Sequence, residues 1–252
     1  MRRDLCSFPF PASPLTLLFM YEHIINERLT EVRGRLERAT TRAGRRPEDI
    51  RIVAVTKGHP VDALRAVLDA GIADLGENRI GELEGKQREL EGDDRPRWHM
   101  VGHVQSRKAP QLWGRVDVLH SLDSTKLGQR LDRTRPDGED PIPVLVQVNT
   151  SGEDAKYGFT PDGLREALPA LVALPGLEVR GLMTLAPFTD DEDWIRKTFR
   201  RLRELHEQAG ADCPGYEGTE LSMGMSNDFE IAVEEGSTMI RLGTALLGER
   251  ST

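Results

Sequence analysis

From about Glu22 to Gly44 apolar and polar positions alternate at helical spacing, which predicts one long amphipathic helix at the start of the ordered chain. After it, short apolar or β-branched runs alternate with amphipathic stretches. The runs are Ile50–Thr56, Ala73–Gly76, Trp98–Gly102, Val116–Leu122, Val144–Asn149, Val179–Leu185, Glu220–Met223 and Met239–Leu242. Between them lie stretches such as Val61–Ala70, Thr125–Arg133, Pro161–Leu174 and Asp191–Ala209. Pro60, Pro161 and Ser226-Asn-Asp read as helix starts, and Gly44, Gly71, Gly210 and Gly236 as stops. Strands that alternate with helices imply parallel βαβ units, and eight such units, the first seven strands each followed by a helix, close into a (β/α)8 barrel of the TIM type. An open doubly wound sheet is the alternative. It calls for a glycine-rich dinucleotide fingerprint after the first strand, and none stands there. Nothing splits the chain in two, and the Pro/Gly/Asp-rich stretch Arg135–Pro143 reads as a loop. The expectation is one α/β domain over residues 20–250.

Residues 1–19 stand outside this pattern. Met1-Arg-Arg and the apolar residues after Phe8 mimic a signal peptide, but prolines interrupt the stretch and no small-x-small cleavage site follows. They are expected to be a dispensable, disordered extension. No apolar run is long enough to span a bilayer, so no membrane partner is expected. The net charge of −8 argues against nucleic acid as a partner, because phosphate contacts need clustered cations. The basic clusters Arg42–Arg46 and Arg196–Arg203 have glutamates nearby and read as solvated helix faces. Cys6 and Cys213 form neither a disulfide framework nor a zinc motif, which fits a reducing cytoplasm.

A barrel of this kind places its chemistry at the C-terminal ends of the strands, with phosphate often bound after strands seven and eight. Lys57 ends the first predicted strand, where apolar walls favour the neutral, nucleophilic amine that forms an imine with an aldehyde. By itself it reads more readily as a surface lysine just past a strand end. Gly76-Glu77-Asn78 turns after the second strand and offers polar groups at the same rim. His99 and His103 are four apart; on a strand that separation is about 13 Å, too far to share one ion, so no metal is expected. His99 is expected at the rim or near the pocket. Ser222, Gly224 and Ser226 follow the seventh strand with hydroxyls and backbone N–H groups suited to phosphate, although Ser226 reads also as a plain helix cap. A nucleophile elbow is excluded, because Gly224-Met-Ser226 lacks the second glycine and no histidine follows it. Arg241, Gly243 and Thr244 at the eighth strand complete a two-loop anion site.

Taken in order, Ala54-Val-Thr-Lys57, Gly76-Glu-Asn78, Trp98-His-x-x-Gly-His-x-Gln-Ser-x-Lys108, Gly181-Leu-Met183, Leu221-Ser-Met-Gly-Met-Ser226 and Gly236-Ser-Thr-Met-Ile-Arg-Leu-Gly-Thr244 resemble the pyridoxal phosphate homeostasis proteins, from about Met20 to Arg250. The resemblance implies a single barrel like the N-terminal domain of alanine racemase. It implies that pyridoxal 5'-phosphate is held as a Schiff base on Lys57, with Asn78 lining the pocket. It further implies phosphate contacts at Ser222, Met223, Ser226, Gly243 and Thr244, and Arg241 beside the pyridine ring or phosphate. Gly58-His59 and Gly102-His103 depart from the usual family residues without touching these anchors. Racemases of this fold need an opposing tyrosine from a second domain, and the tyrosines here are Tyr21, Tyr157 and Tyr216. The expected role is therefore a cytoplasmic, monomeric carrier or regulator of the cofactor, serving apo forms of enzymes that use it. A weak amino-acid racemase is the alternative.

Overall fold

The structure is a computed structural model that describes residues 14–153 and 155–249, with side chains from Leu18 onward. Eight parallel strands close into a barrel in sequence order: β1 Arg51–Val55, β2 Asp74–Glu77, β3 Arg97–Met100, β4 Val118–Leu122, β5 Ile142–Gln147, β6 Leu177–Met183, β7 Glu220–Met225 and β8 Met239–Leu242. The helices are α1 Pro14–Arg42, α2 Val61–Asp69, α3 Ile80–Glu89, α4 Thr125–Arg133, α5 Pro161–Val172, α6 Glu192–Asp212, α7 Phe229–Glu234 and α8 Thr244–Leu247. The expected (β/α)8 architecture is present. Of the expected extension over residues 1–19, residues 1–13 lie outside the described residues, and 14–19 are the first turns of α1.

Because successive strand residues face opposite sides, each strand divides its side chains between two cores. Ala54, Leu75, Met100, Leu119, Leu182, Leu221, Ile240 and Leu242 point outward into one large apolar cluster shared with the helices. Inside the barrel a small apolar group of Val118, Leu145 and Met183 covers only part of the space. Polar side chains fill much of the rest, as His99, His120, Ser222 and Arg241 are all buried.

The helical layer departs from the expected regularity in three places. Between β3 and β4 the chain makes a 3-10 helix, Ser106–Leu112, in place of an α-helix. Pro110 lies inside it and would cost an α-helix a hydrogen bond and a ring clash. Gly210 does not stop α6, which continues to Asp212; packing of Leu205 and Ala209 outweighs the roughly 1 kcal/mol that glycine costs a helix. Helix α8 is only four residues long, and α1 packs against α2, α7 and α8 to cover the β8–β1 seam.

The two arginine clusters keep solvent-exposed side chains, as expected, and several of them also act as clamps. Glu234 binds Arg42 (2.6 Å) and Arg196 (2.7 Å), while buried Glu235 binds Arg196 (3.1 Å) and Arg200 (3.0 Å). Half-buried Arg45 donates to the carbonyls of Val233 and Ser237. Helices α1 and α6 are thereby tied to the end of α7.

Candidate functional site

The register of β8 on β1 pairs Val53 with Arg241 and Ala54 with Leu242. Continuing one step, Gly243 lies against Val55, whose carbonyl oxygen would be 3.6 Å from a Cβ added there. Lys57 therefore emerges beside the Gly243–Thr244 loop at the C-terminal mouth of the barrel. The half-buried Lys57 is held by its chain neighbours. The Thr56 hydroxyl donates to Glu77 Oε1 (2.5 Å), and Lys86 Nζ donates to the Thr56 carbonyl (2.7 Å) and to Glu77 Oε1 (2.6 Å). On the other side, the Gly58 N–H donates to Glu82 Oε1 (2.5 Å), which also takes Lys86 Nζ (2.8 Å). Burial pushes the Glu77 carboxyl up, against the opposing pull of Lys86. The carboxylates thus fix the backbone before and after Lys57.

Asn78, half-buried, follows β2 at the same mouth. Its backbone passes so close to Gly102 that a Cβ there would meet Asn78 O at 2.4 Å. Glycine at 102 is thus a condition of the turn that presents Asn78. Past β7, Ser226 Oγ accepts the N–H of Ala245 (3.1 Å), joining the strand-seven loop to the strand-eight loop. Ser226 is not the cap of α7. That helix begins at Phe229, and Asp228 stabilises the approach by accepting the Met225 N–H (2.5 Å). Ser226, Gly243 and Thr244 are therefore one cluster of a hydroxyl-bearing and a glycine-bearing loop.

Ser222 and Met223 lie elsewhere. Met223 is fully buried in the outer core, facing the helices. Ser222 is fully buried in the barrel interior, where its Oγ accepts from Arg241 Nη1 and hydrogen-bonds His120 Nδ1 (2.9 Å). Arg241 also donates from Nη2 to the Thr184 carbonyl (2.9 Å). Burial lowers its guanidinium to about 10, partly countered by the Asp228 charge, so it is a cation at neutral pH. His99, expected at the rim or near the pocket, is an interior residue, bound to Asp74 (2.8 Å) and His120 (2.8 Å). The rim histidine is His103, bound to Asp123 (2.6 Å) and stacked on Tyr157 with ring centroids 4.1 Å apart. Among the described residues no group of His, Cys, Asp or Glu is arranged to hold a metal.

Residues 28–251 match the model of the alanine racemase N-terminal domain family. Curated relatives include the pyridoxal phosphate homeostasis proteins of Pseudomonas aeruginosa, 41% identical over 90% of this chain and 96% of that one, and of Aquifex aeolicus, 37% identical over 89% and 97%. The chain belongs to the pyridoxal phosphate homeostasis protein family. Among solved structures in this fold, PipY of Synechococcus elongatus, solved with PLP bound, has a TM-score of 0.79, with 36% identity over 89% of this chain and 100% of that one. The alanine racemase of Corynebacterium glutamicum, 18% identical with a TM-score of 0.61, shares the fold.

For this member of the family, the structure brings Lys57, Asn78, Ser226, Gly243 and Thr244 to one mouth, and sets Arg241 below it. Sequence reasoning missed Lys86, Glu82, His120 and Asp74. A signal for Lys86 was present: Ile80, Leu83 and Lys86 recur every three residues on the buried stripe of α3. No comparable signal marked His120, whose partners come from β3 and β7.

Proposed function

We propose that the protein binds pyridoxal 5'-phosphate as a Schiff base on Lys57 and serves intracellular homeostasis of that cofactor as a carrier or regulator. The observation that carries this reading is the emergence of Lys57 beside the Gly243–Thr244 loop, at the mouth above Arg241. The residues fit the group. Arg241 is a buried cation whose hydrogen-bond acceptors are a hydroxyl and a carbonyl, so an acceptor or anion placed over it would offset the cost of its burial. Ser226 and the Gly243–Thr244 backbone suit the phosphate, and Asn78 lines the opposite side.

Lys57 would hold the cofactor through its amine, and the cofactor's aldehyde would supply the electrophile for imine formation with loss of water. The clamps on Thr56 and Gly58 orient that amine toward the mouth. Arg241 presents N–H donors, which would leave a ring nitrogen placed over them unprotonated and would weaken the ring as an electron sink. That electronic setting favours holding the cofactor over turning over amino acids. The reading extends to a cytoplasmic monomer that passes the cofactor to apo-enzymes; the name of its relatives supports the homeostasis part, and the free, buried Cys213 suits a reducing compartment.

Incubation with pyridoxal 5'-phosphate is expected to give a visible absorption band that borohydride traps on Lys57, and Lys57→Ala is expected to lose it. A protein that stays colourless, or a band that survives Lys57→Ala, overturns the proposal. Robust deuterium exchange at Cα of amino acids would replace the carrier with a racemase.

A further inference from the structure

Buried polar side chains join Arg241 to the other end of the barrel. Asp74, His99, His120, Ser222 and Arg241 come from five strands of the closed barrel, β2, β3, β4, β7 and β8, and across its interior they form an unbroken line of hydrogen bonds. Its far end is at the mouth opposite Lys57. There Asp74, the first residue of β2, also pairs with exposed Arg97 (2.7 Å) and lines an open cavity of about 860 Å³ together with His99.

The direction of every bond in this line follows from one fact: a guanidinium only donates. Arg241 Nη1 donates to Ser222 Oγ, so the Ser222 hydroxyl must place its own proton on its other neighbour, His120 Nδ1. His120 then carries its proton on Nε2 and donates to His99 Nδ1. His99 in turn carries its proton on Nε2 and donates to Asp74 Oδ1. The carboxylate accepts and ends the line. Reversing any one bond leaves two donors facing each other or a buried hydroxyl proton without an acceptor, and a buried polar group left unpaired loses its hydration with nothing in exchange. Each member thus fixes the tautomer or rotamer of the next.

We propose that Asp74, His99 and His120 are positioning residues for Arg241: a one-way hydrogen-bond line anchored on the Asp74 carboxylate holds the Ser222 lone pair toward the guanidinium and so sets the donors Arg241 presents to the cofactor ring. The placement of the ring over Arg241 rests on the proposed function; the line itself does not. Volume-filling side chains would pack the barrel equally well, so the donor–acceptor order, rather than burial, is what the line supplies.

Two measurements test it. In the cofactor-free protein at neutral pH, ¹⁵N NMR of the histidine rings is expected to show both His99 and His120 neutral and protonated on Nε2; an Nδ1–H tautomer or an imidazolium at either ring overturns the line. This arm stands whether or not the cofactor binds, so its failure is separate from failure of the proposed function. The second arm compares two variants in the holoprotein. His120→Gln keeps one acceptor and one donor at spacings similar to the ring nitrogens, whereas His120→Phe removes both. His120→Phe is expected to shift the visible absorption maximum and weaken cofactor binding by about tenfold or more, and His120→Gln to restore both to near wild type. A His120→Phe protein with wild-type spectrum and affinity, or a His120→Gln protein as impaired as His120→Phe, refutes the positioning role. Where His120→Phe fails to fold, the NMR tautomers decide.

Discussion

Lys86 is the residue whose surroundings depart furthest from its sequence. A lysine in a charged helix reads as solvent-facing, yet here it is 5% exposed and donates to Glu77, Glu82 and the Thr56 carbonyl. Breaking a buried pair by removing one partner strands the other charge, at about 3–5 kcal/mol. Lys86→Met is therefore expected to destabilise the protein by about that amount and to loosen the backbone before Lys57. Adding Glu77→Gln should recover much of the loss, because the stranded carboxylate is then gone. Denaturant midpoints of the two variants check this; a double variant no better than Lys86→Met would show that Glu77 is not the stranded charge. The contrast with Lys57 explains what was legible at this scale. Lys57 could be placed from its strand end, because position along a strand sets which mouth a residue reaches. The partners of Ser222, His99 and His120 depend on how strands far apart in sequence face each other across the barrel. A run of letters carries no record of that geometry, which is why Ser222 read as a phosphate ligand.

At the scale of elements, the eight strands and most helices were visible because period-two and period-3.6 patterns survive in short windows. What was not visible was which helix covers which seam. α1 was legible as a helix, but its role follows from the brevity of α8, which leaves the β8–β1 junction uncovered. Ile25, Leu29, Val32 and Leu36 of α1 are buried against that junction. Ile25 is fully buried, so Ile25→Ala is expected to cost about 2–5 kcal/mol from lost transfer and the cavity left behind. The same substitution on a free amphipathic tail would cost almost nothing. A denaturation midpoint indistinguishable from wild type would remove α1 from the barrel's closing layer. Gly210 and the Ser106–Leu112 segment show the opposite limit, where local stop and start signals yield to packing and to Pro110.

For the molecule as a whole, buried histidines and the carboxylates clamped at the end of α7 make stability depend on pH in two separate ranges. Burial, reinforced by the Arg241 cation, holds His120 well below the usual histidine range, and burial also lowers His206. Below pH 6.5 the unfolded chain therefore takes up protons that the folded chain refuses, and stability falls as pH falls. The slope is about 1.4 kcal/mol per pH unit for each such histidine. The carboxylates act later. Burial raises Glu235, but its bonds to Arg200 and Arg196 outweigh that and hold it below 4.5, as Arg196 and Arg42 do for Glu234. Their contribution is intact above pH 4.5 and is lost as pH descends through their folded-state values. Stepping the urea midpoint from pH 7 to pH 5 is thus expected to show a decline that begins near 6.5, before Glu234 and Glu235 titrate. In His120→Gln, which has no proton to refuse, that slope should be shallower by one proton, about 1.4 kcal/mol per pH unit. Equal slopes in the two proteins would mean that His120 accepts a proton in the folded state. The Ser222 hydroxyl would then have no acceptor, and Arg241 would lose the neutral partner on which its placement depends.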